Sequence, residues 1–350
     1  MSSLVKKAMV LSAGLGTRLS PITHKLPKPL VSILNIPNIL HILYLLKRAG
    51  ISEVVMNLHH LSKEMEVFFA RNKYFDLKYS FTYENPILGT GGGVKNAESL
   101  LGDSTFVLAN CDFVTNINIG TFIERHIQKK SKASMILIQD ETRQNLYSKV
   151  GVNSQERLVS LPKLQTEVPT QHGIFTGIHI VDGVIFNYLE NKPCGINDVL
   201  YPILMSQFPH QVHGFIDRKS FWYDTGDLPA FLSTTRALLK ELQSPNSFIH
   251  DLFAHLGVPL KEIQPLVWTT GDPDLKSVKL VGPVLLGDNF QIGKNIKLGP
   301  YTVVGDHSVI ESSVSIEGSV VLPGAHVSTG THLNNSIQFE TLSVSTKSIV

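Results

Sequence analysis

The sequence predicts an α/β domain with a mostly parallel sheet, followed by a short hexapeptide-repeat β-helix. Three observations carry this. Apolar strand-like runs alternate with helix-period stretches over residues 7–130, the pattern of strands joined by crossover helices. Leu280, Leu286, Ile292, Leu298, Val304, Ile310, Ile316 and Leu322 recur every six residues, which ordinary alternating strands do not explain. Between these regions, Pro245, Pro259, Pro265 and Pro273 mark a connector. The expected domains are therefore 1–242, a linker over 243–277 and repeats over 278–350.

Each element has a local reason. Lys7–Ala13 is an apolar run of buried-strand type. Asn38 is expected to cap a helix through Ala49, with Ile39, Ile42, Leu43 and Leu46 on one face and Gly50 as the stop. Glu53–Leu58 reads as a strand, and Ser62 as the cap of a helix to about Asn72. Leu77–Tyr83 and Thr105–Ala109 follow as strands, then a helix over about Ile119–Lys129. Short strands are expected at Lys149–Val152, Ile174–Val181 and Gln211–Ile216, and a closing helix at Leu228–Leu242. One helical turn is expected near Phe248–Leu256. In the tail, glycine follows the repeated apolar residue at 287, 293, 299 and 305, and small or apolar residues stand four positions after it. Three hexads per coil give about two and a half coils.

Composition narrows the function. The 350 residues carry 31 basic and 29 acidic side chains, a net charge of +2. That balance gives no footprint for nucleic acid or for a membrane surface. The two cysteines, Cys111 and Cys194, have no metal-type spacing and read as reduced thiols of a cytoplasmic protein. The N-terminal apolar run is too short for a signal peptide, and no stretch approaches the ~20 apolar residues of a membrane span.

The chemistry concentrates in the string Leu11-Ser-Ala-Gly-Leu-Gly-Thr-Arg-Leu-Ser-Pro-Ile-Thr-His-Lys-Leu-Pro-Lys-Pro-Leu30. It follows a strand, where ligands of α/β sheets bind. Gly14 and Gly16 let backbone N–H groups approach phosphate oxygens, Arg18 offers a fork-shaped permanent cation, and Pro27 and Pro29 restrict the backbone around Lys28. No Gly-Lys-Ser/Thr follows, and Leu19 stands where a dinucleotide fingerprint has its third glycine.

This string resembles the signature of the sugar nucleotidyltransferases. Further segments resemble that family in order: Glu84-Asn-Pro-Ile-Leu-Gly-Thr-Gly-Gly-Gly-Val-Lys-Asn-Ala97, Val107-Leu-Ala-Asn-Cys-Asp112, Ile174-Phe-Thr-Gly-Ile-His-Ile180 and Phe221-Trp-Tyr-Asp-Thr-Gly226. Cys111 stands where the family has glycine, and Val159–Leu164 lacks the glutamate of the family's Glu-Lys-Pro. The resemblance implies a Rossmann-like nucleotidyltransferase domain with a left-handed parallel β-helix behind it. It implies that Arg18 and Lys28 act in catalysis. It implies that Leu11, Ala13, Gly14, Gly16, Thr17, Gly89, Thr90 and Gly91 bind the nucleotide, with the glycines of 89–93 exposing backbone groups to a flat base. Gly151, Lys163, Thr176 and Gly177 would bind the sugar, and Asp112 and Asp224 would hold Mg²⁺. His59, His60, His172 and His179 read as surface, core or pocket residues, because an ionised phosphate nucleophile needs no general base.

The implied reaction joins a nucleoside triphosphate to a sugar 1-phosphate, with loop and tail most similar to mannose-1-phosphate guanylyltransferases. Glucose-1-phosphate thymidylyl- and uridylyltransferases and the MurNAc-1-phosphate uridylyltransferase stay open. A bifunctional acetyltransferase and a non-catalytic regulator are the other readings; intact Arg18, Lys28, Asp112 and Asp224 speak against the latter. All these residues precede the repeats, so the tail is expected to build a homo-oligomer.

Overall fold

The run Lys7–Leu11 becomes β1, a central strand of a ten-stranded sheet. The other members are β2 (Glu53–Leu58), β3 (Lys78–Tyr83), β4 (Phe106–Asn110), β5 (Ala133–Ile138), β6 (Lys149–Val152), β7 (Leu158–Leu161), β8 (Leu164–Gln165), β9 (Gln171–Val181) and β10 (Val212–Asp217). The order is β8-β7-β6-β9-β4-β1-β2-β3, with β5 beside β9 and β10 beside β5. Strands β3, β2, β1 and β4 run parallel, so Leu11, Leu58, Tyr83 and Asn110 end on one side. Strand β9 is antiparallel to β4 and brings its middle, Thr176-Gly177, to that same side.

The computed structural model describes residues 5–140, 143 and 146–345; residues 1–4 and 346–350, included in the expected domain bounds, lie outside this set. The chain forms two compact units. One comprises the chain to Leu15, Ile42–Cys111 and Thr115–Trp222; the other comprises Gly16–His41, Asp112–Val114 and the chain from Tyr223 onward.

In the first unit, Met9, Phe106, Leu108, Met135, Leu137, Val181 and Leu200 form one buried cluster. Each such side chain contributes roughly 1.5–3 kcal/mol of burial. Strand β5 was not among the expected strands, because six consecutive buried residues, ASMILI, show no alternation. Helix α2 (Ser62–Arg71) and helix α1 (Asn38–Arg48), whose first four residues belong to the second unit, form where expected, but not with the expected caps. The Asn38 amide donates to Thr225 Oγ1 at 2.7 Å instead, and Leu61 precedes α2 in a left-handed conformation with Ser62 already inside the helix. Helices α3 (Gly89–Asn96) and α4 (Ile119–Gln128) follow; Asn118 Oδ1 caps α4 by accepting from Thr121 N–H.

In the second unit, residues 16–41 make three short 3₁₀ turns and a two-residue hairpin, Ser32–Ile33 against Ile36–Pro37. Helix α5 (Leu228–Glu241) opens on Asp227, which accepts from Ala230 N–H. The expected linker is ordered: it carries α6 (Phe248–His255), a full eight residues, then a hairpin of Lys261–Gln264 and Val267–Thr269. Val267–Thr269 already pairs parallel with Val284–Leu286, so the coil stack starts before residue 278.

The tail is a left-handed parallel β-helix with three sheets of stacked short strands. Val278 pairs with Ile296 and Val284 with Thr302, one coil apart. The sixfold repeat then slips. Val304 stacks on Val321 and Ile310 on Val327, so Val321, not Leu322, continues the row. The turn at Gly318 is one residue shorter than the turn at Gly299-Pro300-Tyr301. Asn289, Asn295, Tyr301, His307 and Ser313 take positive φ at the corners, six apart. Both ends of the first sheet are closed by antiparallel strands, Lys261–Gln264 at one end and Leu342–Ser345 at the other. Among the described residues no helix is long and apolar enough to cross a membrane.

Candidate active site

Four of the expected residues meet within the second unit. Lys28, held between two prolines, donates from Nζ to Asp112 Oδ2 at 2.7 Å; its side chain is 11% exposed and that of Asp112 32%. Thr225 N–H donates to the Asp112 carbonyl at 2.9 Å. This brings the neighbouring Asp224 close enough for the Asp112 charge to act on it. Burial is the main cause holding the Asp224 carboxyl above its ordinary range, and Asp112 adds to it; Gly226 N–H, Lys28 and Arg18 oppose the shift. Gly226 N–H donates to Asp224 Oδ1 at 2.8 Å. A Cβ at Gly226 would stand 2.8 Å from both Arg18 Nη2 and Asp224 Oδ1, so glycine lets the guanidinium lie against this turn. Arg18 is 61% exposed and, among the described residues, makes a long 3.8 Å approach to Asp227, which leaves its guanidinium facing solvent.

The loop before it is shaped for the same end. Gly16 has φ of +65°, and a Cβ there would meet Thr23 Cγ2 at 2.8 Å and Lys28 Cβ at 3.1 Å. Thr17 opens the first 3₁₀ turn, followed directly by Arg18. Two neighbouring carboxylates, with the Asp112 charge disfavouring ionisation of Asp224, beside a solvent-facing guanidinium suit a divalent cation carrying phosphate. Among the described residues no three His, Cys, Asp or Glu side chains gather as a closed cage. A two-carboxylate site leaves the other positions of Mg²⁺ to water and substrate oxygens.

The first unit holds the remaining candidates. Leu11 ends β1 in register with Asn57 and Asn110. Ala13 is buried, whereas nothing lies within 4 Å of a Cβ built on Gly14. The protein therefore does not require glycine at 14, which leaves the space beside that backbone for a ligand. The tract at 89–93 differs from expectation. Gly91 to Gly93 are buried in the opening turns of α3 and do not form an exposed platform. Cβ atoms at Gly89 and Gly91 would meet Cys194 at 2.8 and 2.7 Å, and one at Gly92 would meet Lys192 O at 2.4 Å. The N–H of Gly91 donates to Cys194 O, and Thr90 Oγ1 accepts from Ile196 N–H, both at 2.9 Å. These groups are thus occupied by the protein's own 192–196 segment.

The expected sugar residues each have a distinct local setting. Gly151 is glycine because Pro169 and Ser160 would crowd a Cβ at 2.5 and 2.9 Å. Thr176 is fully buried and donates to Ile136 O at 2.8 Å, while its carbonyl accepts from Trp222 Nε1. Gly177, with φ of +82°, packs on Asn110. Lys163 is 83% exposed and ion-paired with Asp198 at 3.1 Å. His179 is buried against Tyr201 and its pKa is lowered to about 3 by burial, so it stays neutral in the core.

Sequence reading did not single out Asn57, and Ser12 and Glu84 stood only inside longer motifs with no role of their own; the three form a buried polar chain where β1, β2 and β3 end. An asparagine and a glutamate at two strand ends, both followed by loop residues, were the signal available.

The profile of the nucleotidyl transferase family matches residues 7–241. The chain belongs to the nucleotidyl transferase family. This nucleotidyltransferase is 32% identical over 251 residues to a protein named mannose-1-phosphate guanyltransferase from Aspergillus oryzae, covering 69% of this chain and 66% of the relative. It is 28% identical over 308 residues to a protein named UTP–glucose-1-phosphate uridylyltransferase from Synechocystis, covering 80% of this chain and 78% of that one. Among solved structures, HddC from Yersinia pseudotuberculosis superposes with a TM-score of 0.56 at 22% identity, over 67% of this chain and all of that one, which speaks to the fold alone.

Proposed function

We propose that this nucleotidyltransferase condenses GTP with mannose 1-phosphate to give GDP-mannose and pyrophosphate. The observation that carries the reading is the cluster of Lys28, Asp112, Asp224 and Arg18 in a family that transfers nucleotidyl groups. The relatives named for mannose 1-phosphate at about 30% identity favour that acceptor. A uridylyltransferase acting on glucose 1-phosphate is the second reading, favoured by the relative that aligns over 80% of the chain.

In this reading a phosphate oxygen of the sugar attacks the α-phosphorus, the bond to the β-phosphate oxygen breaks, and pyrophosphate leaves. Both reactants are anions, so charge and position dominate the barrier. Asp112 and Asp224 would hold Mg²⁺, which when bound neutralises phosphate charge. Arg18, exposed and forked, would span two phosphate oxygens. Lys28, already placed by Asp112, would neutralise charge on the transferring group. The Gly14 backbone would admit phosphate without steric cost.

We assign the reaction to the cytoplasm on the two free thiols, one of them buried, and assign the tail to contacts between copies of this chain. The test is pyrophosphate release by the intact protein with each of four nucleoside triphosphates against a panel of sugar 1-phosphates. GTP with mannose 1-phosphate should give the highest kcat/KM, and excess chelator should abolish it until Mg²⁺ is restored. No release with any pair would overturn the reading; full activity in excess chelator would remove the metal from it.

A further inference from the structure

Three strand ends of the first unit are tied by one buried chain of hydrogen bonds. Ser12 N–H donates to Asn57 Oδ1 at 2.9 Å, and Ser12 Oγ donates to the Asn57 carbonyl at 2.7 Å. Asn57 Nδ2 donates to Glu84 Oε1 at 2.7 Å. Glu84 Oε2 accepts from Leu88 N–H at 2.7 Å, and the Glu84 carbonyl bonds His59 Nδ1 at 2.8 Å. A Cβ on Gly93 would stand 2.5 Å from Glu84 Oε1 and 2.9 Å from Asn57 Nδ2, so the start of α3 sits directly on the chain.

Ser12, Asn57 and Glu84 are all buried. No cation pairs with Glu84 among the described residues; neutral donors alone satisfy it. A buried carboxylate held this way is a poor source of stability compared with apolar packing. Its bonds are directional, however, and a satisfied polar network fixes one geometry. That geometry is the spacing between two loops: Ser12 leads into Ala13-Gly14, and Glu84 leads into Leu88 and the glycine tract.

We propose that Asn57 and Glu84 are positioning residues for the nucleotide. They set the distance between the 12–14 loop, which would take phosphate in the proposed reaction, and the 84–88 segment, which leads into α3. This rests on the nucleotidyl-transfer reading given above. The Asn57 amide and both carboxyl oxygens of Glu84 are taken up by bonds within the protein. Every polar atom along the line from Ser12 to Leu88 has a fixed donor or acceptor role, so the relay has a polarity that can be reversed.

Asn57→Asp places a carboxylate against Glu84, and Glu84→Gln places an amide N–H against a donor. Combined, they restore the match: the residue-57 carboxylate accepts from Ser12 N–H and from the residue-84 amide, whose oxygen accepts from Leu88 N–H. The experiment titrates intact wild type and the three variants with Mg²⁺-GTP and Mg²⁺-UTP by calorimetry, with pyrophosphate-release kinetics and melting curves alongside. Each single variant should weaken nucleotide affinity on the order of ten-fold or more, with the sugar 1-phosphate KM unchanged, and the double variant should return to within about three-fold of wild type. Singles that fold and bind as wild type overturn the relay, as does a lowered Tm with unchanged affinity, which marks a purely structural role. If the singles do not fold, the double decides. A folded double with wild-type affinity supports the relay; a double that stays weak or unfolded overturns it. Wild type that turns over while the variants match it sinks the relay alone; wild type that binds neither nucleotide and releases no pyrophosphate sinks the proposed function as well.

Discussion

Lys28 and Asp112 are bonded at 2.7 Å through a nearly covered ammonium, and the charge on Lys28 is also felt by Asp224. One cation thus binds Asp112 directly and favours the charge on Asp224, which Asp112 disfavours. The three residues act as a unit, and perturbing one changes what the others contribute.

Lys28→Met is expected to lower Tm at pH 7, because Asp112 then loses its bonded ammonium while the like charge of Asp224 remains nearby. The same substitution in an Asp112→Asn background should cost less, with a coupling on the order of 1 kcal/mol from a double-mutant cycle. Additive effects on Tm would show that the pair carries no mutual stabilisation. Activity should fall at least ~100-fold in Lys28→Met and in Asp112→Asn, the scale of removing one preorganised charge.

Two glycines should behave oppositely when replaced by alanine. Gly14 has nothing within 4 Å of a built Cβ, whereas at Gly91 that atom would stand 2.7 Å from Cys194 Sγ. Gly14→Ala should leave Tm within about 1 °C and raise the nucleoside triphosphate KM. Gly91→Ala should lower Tm by several degrees, of the size expected for overpacking. A fall in Tm for Gly14→Ala, or an unchanged KM, would mean that no ligand approaches that backbone.

Stability should depend on pH through buried histidines. Burial lowers the pKa of His41, His126 and His213 to about 4 and of His179 to about 3. These values lie below that of an exposed histidine, so between roughly pH 4 and pH 6.5 the unfolded chain binds more protons than the folded one. Stability from these groups is complete above about pH 6.5 and is lost as pH falls toward 4. Each fully buried histidine contributes a slope of up to about 1.4 kcal/mol per pH unit in that window. Melting curves from pH 4 to 8 should rise and then level off near pH 7. A flat profile below pH 6.5 would contradict neutral burial.

Removal of the tail should reach the loop that carries Arg18 and Lys28. Lys25 Nζ is bonded to Glu340 Oε2 at 2.6 Å, and Asn35 Nδ2 donates to Val304 O at 2.9 Å. Arg236 of α5 bonds Asn335, and Lys240 lies over the Tyr301 ring. A chain ended near Gln243 is therefore expected to lose activity together with order in residues 16–41, read by proteolysis of that segment. The point variant Asn35→Ala tests the same link without truncation and should raise proteolytic nicking between residues 16 and 41. Full activity and wild-type resistance in both proteins would show that the loop holds its shape alone.

Much of this architecture was readable from residue pattern, for stated physical reasons. The period of six was visible because each coil reuses the same inward position, so Leu280, Leu298 and Ile316 repeat one chemistry. The slip at Gly318 was not visible, because Val321 and Leu322 are both apolar and either satisfies the pattern. The Lys28, Asp112 and Asp224 cluster was legible through its resemblance to a known family. The glycine tract was legible as a motif but not in its use, since its reason is Cys194, a residue far along the chain. Asn38 shows the same limit. Its local context predicts a cap, but Thr225 supplies an acceptor that no local window contains. The link between Asn57 and Glu84 was not legible because a polar relay has no periodicity; only the strand order brings its members together.

The Asn35 and Lys25 contacts of the 16–41 loop with the coils fall on different rows. Val304 stacks on Val321, and Val321 on Gln338, two residues before Glu340. Adjacent rows are about 4.8 Å apart. The span from Asn35 to Lys25 therefore works as a gauge laid along the stack. Inserting or deleting one coil between Val304 and Glu340 would carry the carboxylate about 4.8 Å past the ammonium it meets. The number of coils in that interval is measured by the very loop that presents Arg18 and Lys28, and copy-number drift of the repeat, easy for a periodic sequence, would be registered there first.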